Sequence, residues 1–141
     1  MSIKKGLIAG SFDLIHPGYV KMFEDAKTNA CNYLIIALQG DPTIERPNKC
    51  KPVQSAVERE YILKSIKYID EVVHYNTEKE LLDIVKNLNY NIRIIGSDYR
   101  NIDFTGSDYE KEIYYHERHH SYSLTALKNK IILCISHYPN I

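Results

Sequence analysis

The stretch GSFDLIHPGYVKMFEDAK, residues 10–27, places Gly10, Ser11, His16, Pro17 and Gly18 within nine residues of one another, just after the apolar run GLIA. Gly10 allows a tight exit from a strand. Pro17 suits the first turn of a helix, where its missing N–H would be unpaired anyway, and Gly18 lets a ligand approach the backbone. Unpaired amides at a helix start, with the helix dipole, favour an anion. His16, just before that helix, is placed to donate a hydrogen bond to a phosphate oxygen, although a turn histidine packed against a sheet fits the same pattern. These residues alone point to phosphate binding and to nothing finer.

A second cluster, HERHH at 116–120, invites a metal reading, because His116 and His120 would share a face if helical. The preceding EIYYH favours a strand running into a loop, where that spacing loses its meaning. Cys31, Cys50 and Cys134 are odd in number, widely separated and without a C-x-x-C pair, which argues against a disulfide framework or a zinc ribbon and fits a reducing cytoplasm. The 18 Lys and Arg balance the 18 Asp and Glu, so any anion site must be local, and no general field draws nucleic acid or anionic lipid. No run approaches the ~20 apolar residues of a membrane helix, and the start lacks the long apolar region of a signal peptide. The expectation is a soluble cytoplasmic protein of one domain over 1–141, large enough to bury a core.

The elements that must position these groups read as an alternation. Strands are expected at 3–9, 32–38, 71–75, 92–96 and 112–116. Helices are expected from Pro17 to about Asn29, for about three turns from a Ser55–Glu58 capping box, over 77–88, and from Ser123 to about Ile132. Residues 40–52, with three prolines, a glycine and several basic residues, form a loop. Apolar strands alternating with helices imply a doubly wound parallel sheet, an α/β/α sandwich whose ligands bind beyond the carboxyl ends of the strands. Residues 10–19 lie at such an end.

GSFDLIHPGY resembles the G-T/S-F-D-x-x-H-x-G-H signature of the cytidylyltransferase-like nucleotidyltransferase superfamily. The likeness continues through Lys21 and Lys27, through KPVQSAVEREYILKSIKYIDEVV (51–73), similar to that family's basic loop and following helix, and through IIGSDYRNIDFTG (94–106), similar to its G-D-D-[WY] segment. RHHSYSLTALK (118–128) resembles its closing R-x-x-x-x-S-T-T-x-x-K/R motif. The Arg118-to-Ser123 spacing and the short chain look most like the glycerol-3-phosphate cytidylyltransferase branch, with its ethanolamine-phosphate and choline-phosphate relatives. Adenylyltransferase branches stay open.

The resemblance implies that a phosphate oxygen of a small phosphorylated acceptor attacks the α-phosphorus of CTP and releases pyrophosphate, with Mg²⁺ bridging the triphosphate, in a homodimer. It implies that His16 and the backbone around Gly10, Ser11, Phe12 and Gly18 hold the phosphates, with Lys21 directed at the same anion. Lys49 or Lys51 would come from the basic loop, Arg118 from the last strand end, and Ser123, Thr125 and Lys128 from the closing helix. Arg59 and Lys67 are implied at the acceptor phosphate or in the site's architecture. Asp13 and Asp98 would bond ribose or fix a loop, and His119 and His120, at loop positions where the family usually has small or acidic residues, would tune the acceptor pocket.

Three positions depart from the pattern. Tyr19 replaces the second signature histidine, which leaves a neutral donor where a cation could stand. Ser97 stands where the family often has Asp, and Leu124 replaces the first Thr of the closing pair. Tyr19 is compatible with a branch that uses Tyr as donor, with a slower enzyme, or with a nucleotide-binding protein without turnover.

Overall fold

Apolar runs become buried parallel strands, and the amphipathic runs between them become crossover helices. The computed structural model describes residues 2–110 and 112–138. Five strands, β1 (Lys5–Gly10), β2 (Tyr33–Gln39), β3 (Glu71–Tyr75), β4 (Ile92–Gly96) and β5 (Ile113–His116), form one sheet in the order β3-β2-β1-β4-β5, with every neighbouring pair parallel. Helices α1 (Pro17–Asp25), α2 (Ala56–Lys64) and α3 (Glu78–Asn87) fall between the first four strands, and α4 (Leu124–His137) follows the fifth. This is the doubly wound sandwich expected from the alternation.

The two-residue period of the strands sorts side chains onto two faces. Ile8, Leu34, Ile36 and Leu38 pack with Phe23 and Ala26 beside α1 and with Leu63 of α2, while Leu7, Ile35 and Ala37 pack with Leu81 of α3. The strand order reverses between β1 and β4. Their ladder runs over Gly6–Ile92 and Leu7–Arg93, whereas β1 pairs with β2 along its whole length. Beyond that short ladder, residues 8–12 and 93–96 face one another across a crevice, which is the topological switch point.

Strands β1, β2 and β5 shift by one or two residues from expectation, and the larger departures are at three helix ends. Helix α1 gives way at Ala26 to a wider π-helical turn, Ala26–Ala30. Helix α2 ends at Lys64 after its capping box, so Lys67 lies beyond it. Helix α4 runs five residues past Ile132, because LCISH carries no helix breaker before Pro139. Its Ile132, Leu133 and Ile135 are exposed. Among the described residues, no helix is long and apolar enough to cross a membrane.

Candidate active site at the carboxyl ends of the strands

The loop leaving β1 is held in an uncommon backbone shape. Phe12 and Leu14 adopt φ of 48° and 49°, a left-handed conformation that non-glycine residues rarely take and that survives only where neighbours enforce it. The neighbours come from the segment before α2. Both carboxylate oxygens of buried Asp13 accept backbone amides, from Val53 at 2.7 Å and Gln54 at 3.0 Å, and Leu14 N–H donates to the Gln54 side chain. Arg59, 1% exposed, reaches from α2 and donates to four backbone carbonyls: Gln54, Ser11, Gln39 and Gly40. Arg59 and Asp13 therefore take the architectural and loop-fixing roles among those the resemblance allowed, since their hydrogen-bonding groups are already occupied by backbone.

His16 sits at the N-cap of α1, with its Nδ1 accepting Gly18 N–H at 3.0 Å. That bond fixes the tautomer: the neutral ring carries its proton on Nε2 and keeps a donor free for a ligand. Burial, with the nearby His120 and Arg118 charges, lowers its pKa, so the ring is a neutral donor near pH 7. Free amides at the start of α1 were expected to hold the anion, and the structure corrects this. Gly18 N–H is taken by His16 Nδ1, Tyr19 N–H by the His16 carbonyl, and Pro17 has none. Gly18 likewise makes room for imidazoles: a Cβ there would lie 2.8 Å from Cε1 of both His16 and His120.

Tyr19 stacks on His16, with ring centroids 4.1 Å apart and planes at 25°, and meets Phe12 edge-on at 5.3 Å. Burial and Asp13 push its hydroxyl above the usual tyrosine range, outweighing Arg118, so it stays protonated. Phe12 itself is buried against Phe23, leaving only its backbone for a ligand.

The amides that remain open belong to α4. Ser123 caps this helix by accepting Ala126 N–H at 3.0 Å, which leaves Leu124 and Thr125 N–H without a helical partner. Arg118, anchored by donating to the Tyr122 carbonyl at 2.8 Å, lies 3.9 Å from Asp98. His16, Gly18, Tyr19, Asp98, Arg118 and Ser123 thus line one cleft of about 300 Å³. A crevice of similar size at the switch point adjoins it through Tyr19, Met22, Gly96 and Tyr99, and takes in Gly10, Ser11 and Phe12.

The remaining candidates lie elsewhere. Lys21 and His119 are exposed and line a neighbouring cleft of about 510 Å³ between α1 and β5. Thr125 is exposed and Lys128 half-buried on the first turns of α4. Lys49 and Lys51 are exposed on the basic loop, with Lys51 Nζ 4.0 Å from Asp41, and neither lines the His16 cleft. Lys67 sits between α2 and β3, over the Tyr68 ring, at the amino end of β3 and so across the sheet from the clefts. The resemblance implied it at the acceptor phosphate or in the site's architecture, and it lines neither cleft.

Sequence reading missed Met22 and Tyr99 in the crevice, and the pairing of His116 with Asp25. His116 closes β5 and His120 lies in the loop after it, the strand-into-loop arrangement that the EIYYH pattern favoured. Asp25 lies on α1 and is 91 residues from His116 in sequence, so no local spacing could reveal the contact.

The site is an array of donors and cations with no base–nucleophile pair. It is suited to holding a polyphosphate and neutralising its charge. The family model described as cytidylyltransferase-like matches residues 7–131. The chain is 34% identical over 106 residues to a bifunctional protein HldE of Paramagnetospirillum magneticum, covering 74% of this chain and 21% of that protein. It is 32% identical over 123 residues to a Helicobacter pylori protein of the same name, covering 86% of this chain and 26% of that one. The chain thus spans about a fifth to a quarter of these relatives. A lipopolysaccharide core biosynthesis protein from Thermoplasma volcanium shares the fold at TM-score 0.60 and 16% identity, over 94% of this chain and 89% of its own.

Proposed function

Because the chain belongs to the cytidylyltransferase-like family of nucleotidyltransferases, we propose that it transfers CMP from CTP to a small phosphorylated acceptor and releases pyrophosphate. The acceptor class is glycerol-3-phosphate-like, an ethanolamine or choline phosphate, or a sugar phosphate. The observation that carries this reading is the convergence of the free His16 Nε2–H, Arg118 and the open α4 amides on one cleft beside the switch point.

In the proposed reaction an acceptor phosphate oxygen forms a bond to the α-phosphorus as the bond to the pyrophosphate oxygen breaks, and pyrophosphate departs with the electron pair. No covalent enzyme intermediate is needed. His16 donates from Nε2 to the α/β-phosphate region, Arg118 neutralises charge, and the amides of Leu124 and Thr125 hold the leaving phosphates. Lys49 or Lys51 reaches the site only if the basic loop folds over it. Lys21 and His119 act from the neighbouring cleft. Asp98 fits Mg²⁺ carried on the triphosphate, being the carboxylate that lines the cleft while Asp13 is engaged by backbone. When bound, that ion would supply charge neutralisation on the phosphates.

Mass spectrometry of the product tests the reading: incubation with CTP, Mg²⁺ and the acceptor panel should give one nucleoside-diphospho adduct. The same adduct formed only from ATP would replace CMP transfer by AMP transfer. Tyr19 in place of a signature histidine favours one other reading, a nucleotide-binding module without turnover, which predicts triphosphate binding and no adduct at all.

Tyr19 also gives a direct test of its donor role. Its ring packing survives in Tyr19→Phe, so the fold should persist while kcat falls roughly tenfold, equivalent to ~1.4 kcal/mol of lost transition-state stabilisation. Tyr19→His should retain activity. If Tyr19→Phe turns over like the parent, the hydroxyl is no donor in the reaction.

The homodimer belongs to the same proposal. Ile131 and Ile135 form a bare pair at i and i+4 on α4, followed by exposed Tyr138 at its C-cap, and a second copy would cover them. Light scattering should then give twice the chain mass.

A further inference from the structure

The cleft between α1 and β5 opens into the His16 cleft at His116 and His120, which line both. His116 is 7% exposed and closes β5 with its ring fixed from behind, Nδ1 lying 2.7 Å from the Asp25 carboxylate. Tyr114 OH, at 2.9 Å, and Asn29, at 2.7 Å, hold Asp25 in turn. His120 Nδ1 accepts Tyr122 N–H at 3.1 Å, which leaves its proton on Nε2. The Nε2 atoms of both rings are buried without a hydrogen-bond partner. Buried polar nitrogens in that state are uncommon and costly, so two of them at one junction indicate a ligand.

The chemistry of the two nitrogens narrows the kind of ligand. His120 Nε2 offers a donor. With Nδ1–H directed at Asp25, His116 Nε2 is a lone pair on the neutral ring and an N–H on the imidazolium. A hydroxyl group accepts from the first nitrogen and pairs with the second in either state, because it both donates and accepts. Beyond the junction the cleft encloses about 510 Å³, the scale of small-metabolite sites. Its wall continues along the wider π-helical turn that follows α1, where Thr28 and Asn29 face the space, and Lys21, Glu24 and His119 line it as well. Such turns recur at functional sites. Of the lining carboxylates, Asp25 is engaged by His116 and Glu117 by Arg100, which leaves Glu24. A trimethylammonium group is recognised by aromatic faces, and here it would meet Tyr114, whose hydroxyl is bound to Asp25, beside Lys21 and the imidazoles.

Resting on the nucleotidyl-transfer reading, we propose that the cleft between α1 and β5 is the acceptor site and that the acceptor is a polyhydroxylated sugar phosphate. Its phosphate passes through the junction toward the His16 cleft, and Lys21 offsets part of its charge. The hydroxyl next to that phosphate bridges the Nε2 atoms of His116 and His120, and the remaining hydroxyls meet Thr28, Asn29 and Glu24. Asp25 is the positioning group that fixes the His116 ring.

Steady-state kinetics with Mg²⁺ and CTP or ATP compare hexose 1-phosphates, hexose 6-phosphates and ribose 5-phosphate with glycerol-3-phosphate, ethanolamine phosphate and choline phosphate. One sugar phosphate should exceed the other three compounds by about 10²-fold or more in kcat/KM. Thr28 and Asn29 are exposed, so the double variant Thr28→Val, Asn29→Leu should stay folded, which a thermal melt checks. In it, KM for that sugar phosphate should rise about tenfold or more, while kcat stays within about threefold and KM for the nucleotide does not move. His116→Gln should raise the same KM. Glycerol-3-phosphate or an amino-alcohol phosphate as the best acceptor, or a sugar-phosphate KM untouched in the folded double variant, overturns the acceptor site and leaves nucleotidyl transfer standing. Where no acceptor turns over, calorimetry of the sugar phosphates on the CTP-loaded protein decides: binding that the double variant weakens supports the site, and no binding overturns it. If CTP and ATP both fail to bind, the nucleotidyl-transfer reading falls as well.

Discussion

Replacing His16 by alanine is expected to lower kcat by about 10²- to 10³-fold, the cost of removing one positioned donor from a charge-stabilising site. Asparagine makes the test cleaner. His16 does two things at once: Nδ1 caps α1 through Gly18 N–H, and Nε2 faces the cleft. Alanine loses both, including about 1 kcal/mol of capping. In His16→Asn the side-chain oxygen can accept the Gly18 amide while the outward donor is displaced, so stability should return towards the parent and turnover should stay low. Steady-state kinetics beside thermal melts separate the two. Turnover restored by asparagine would show that His16 acts as a cap and not as a phosphate donor.

Arg59→Met should cause the largest loss of stability of any substitution considered for this chain. It removes donors from the carbonyls of Ser11, Gln39, Gly40 and Gln54, all within 3.0 Å of the guanidinium. It also deprives buried Asp13 of a neighbouring positive charge. Stranding buried polar and charged groups in this way costs about 3–5 kcal/mol, a fall in melting temperature of about 10 °C or more. Because Ser11 precedes the left-handed Phe12, nucleotide binding should weaken in whatever fraction remains folded. Arg59→Lys should rescue little, since a single ammonium cannot span four carbonyls in a fork. Calorimetric melts of both variants check this, and a melting temperature within 2 °C of the parent for Arg59→Met would refute the clamp.

Much of this architecture was legible in the sequence because the signals were local and redundant. β3 and β4 fall where their apolar runs lie, Ser55 and Thr77 cap α2 and α3 through side chains visible three residues ahead, and Ser123 does the same for α4. The features that escaped depend on contacts distant in sequence. The left-handed turn at Phe12 and Leu14 is held because Asp13 accepts the Val53 and Gln54 amides and Arg59 donates to the Ser11 carbonyl, contacts that span 40 or more positions, and neither residue is unusual in its own segment. The amides of α1 looked available until the His16 ring folded back onto Gly18, a rotamer outcome with no sequence signature. Lys67 lies three residues past the end of α2, at the amino end of β3, where the crossover between parallel strands puts it away from the clefts. His116 was visible as a residue, but its meaning depends on Asp25, which only the approach of α1 to β5 supplies.

The most direct measurement is pyrophosphate release in the presence of Mg²⁺ with CTP or ATP, acceptor by acceptor across glycerol-3-phosphate, ethanolamine phosphate, choline phosphate and sugar phosphates. The account predicts release that needs both CTP and one acceptor, is absent when either is left out, and falls by at least 10²-fold in His16→Asn. Release that ignores the acceptor, or no release across the panel while CTP still binds, would contradict it.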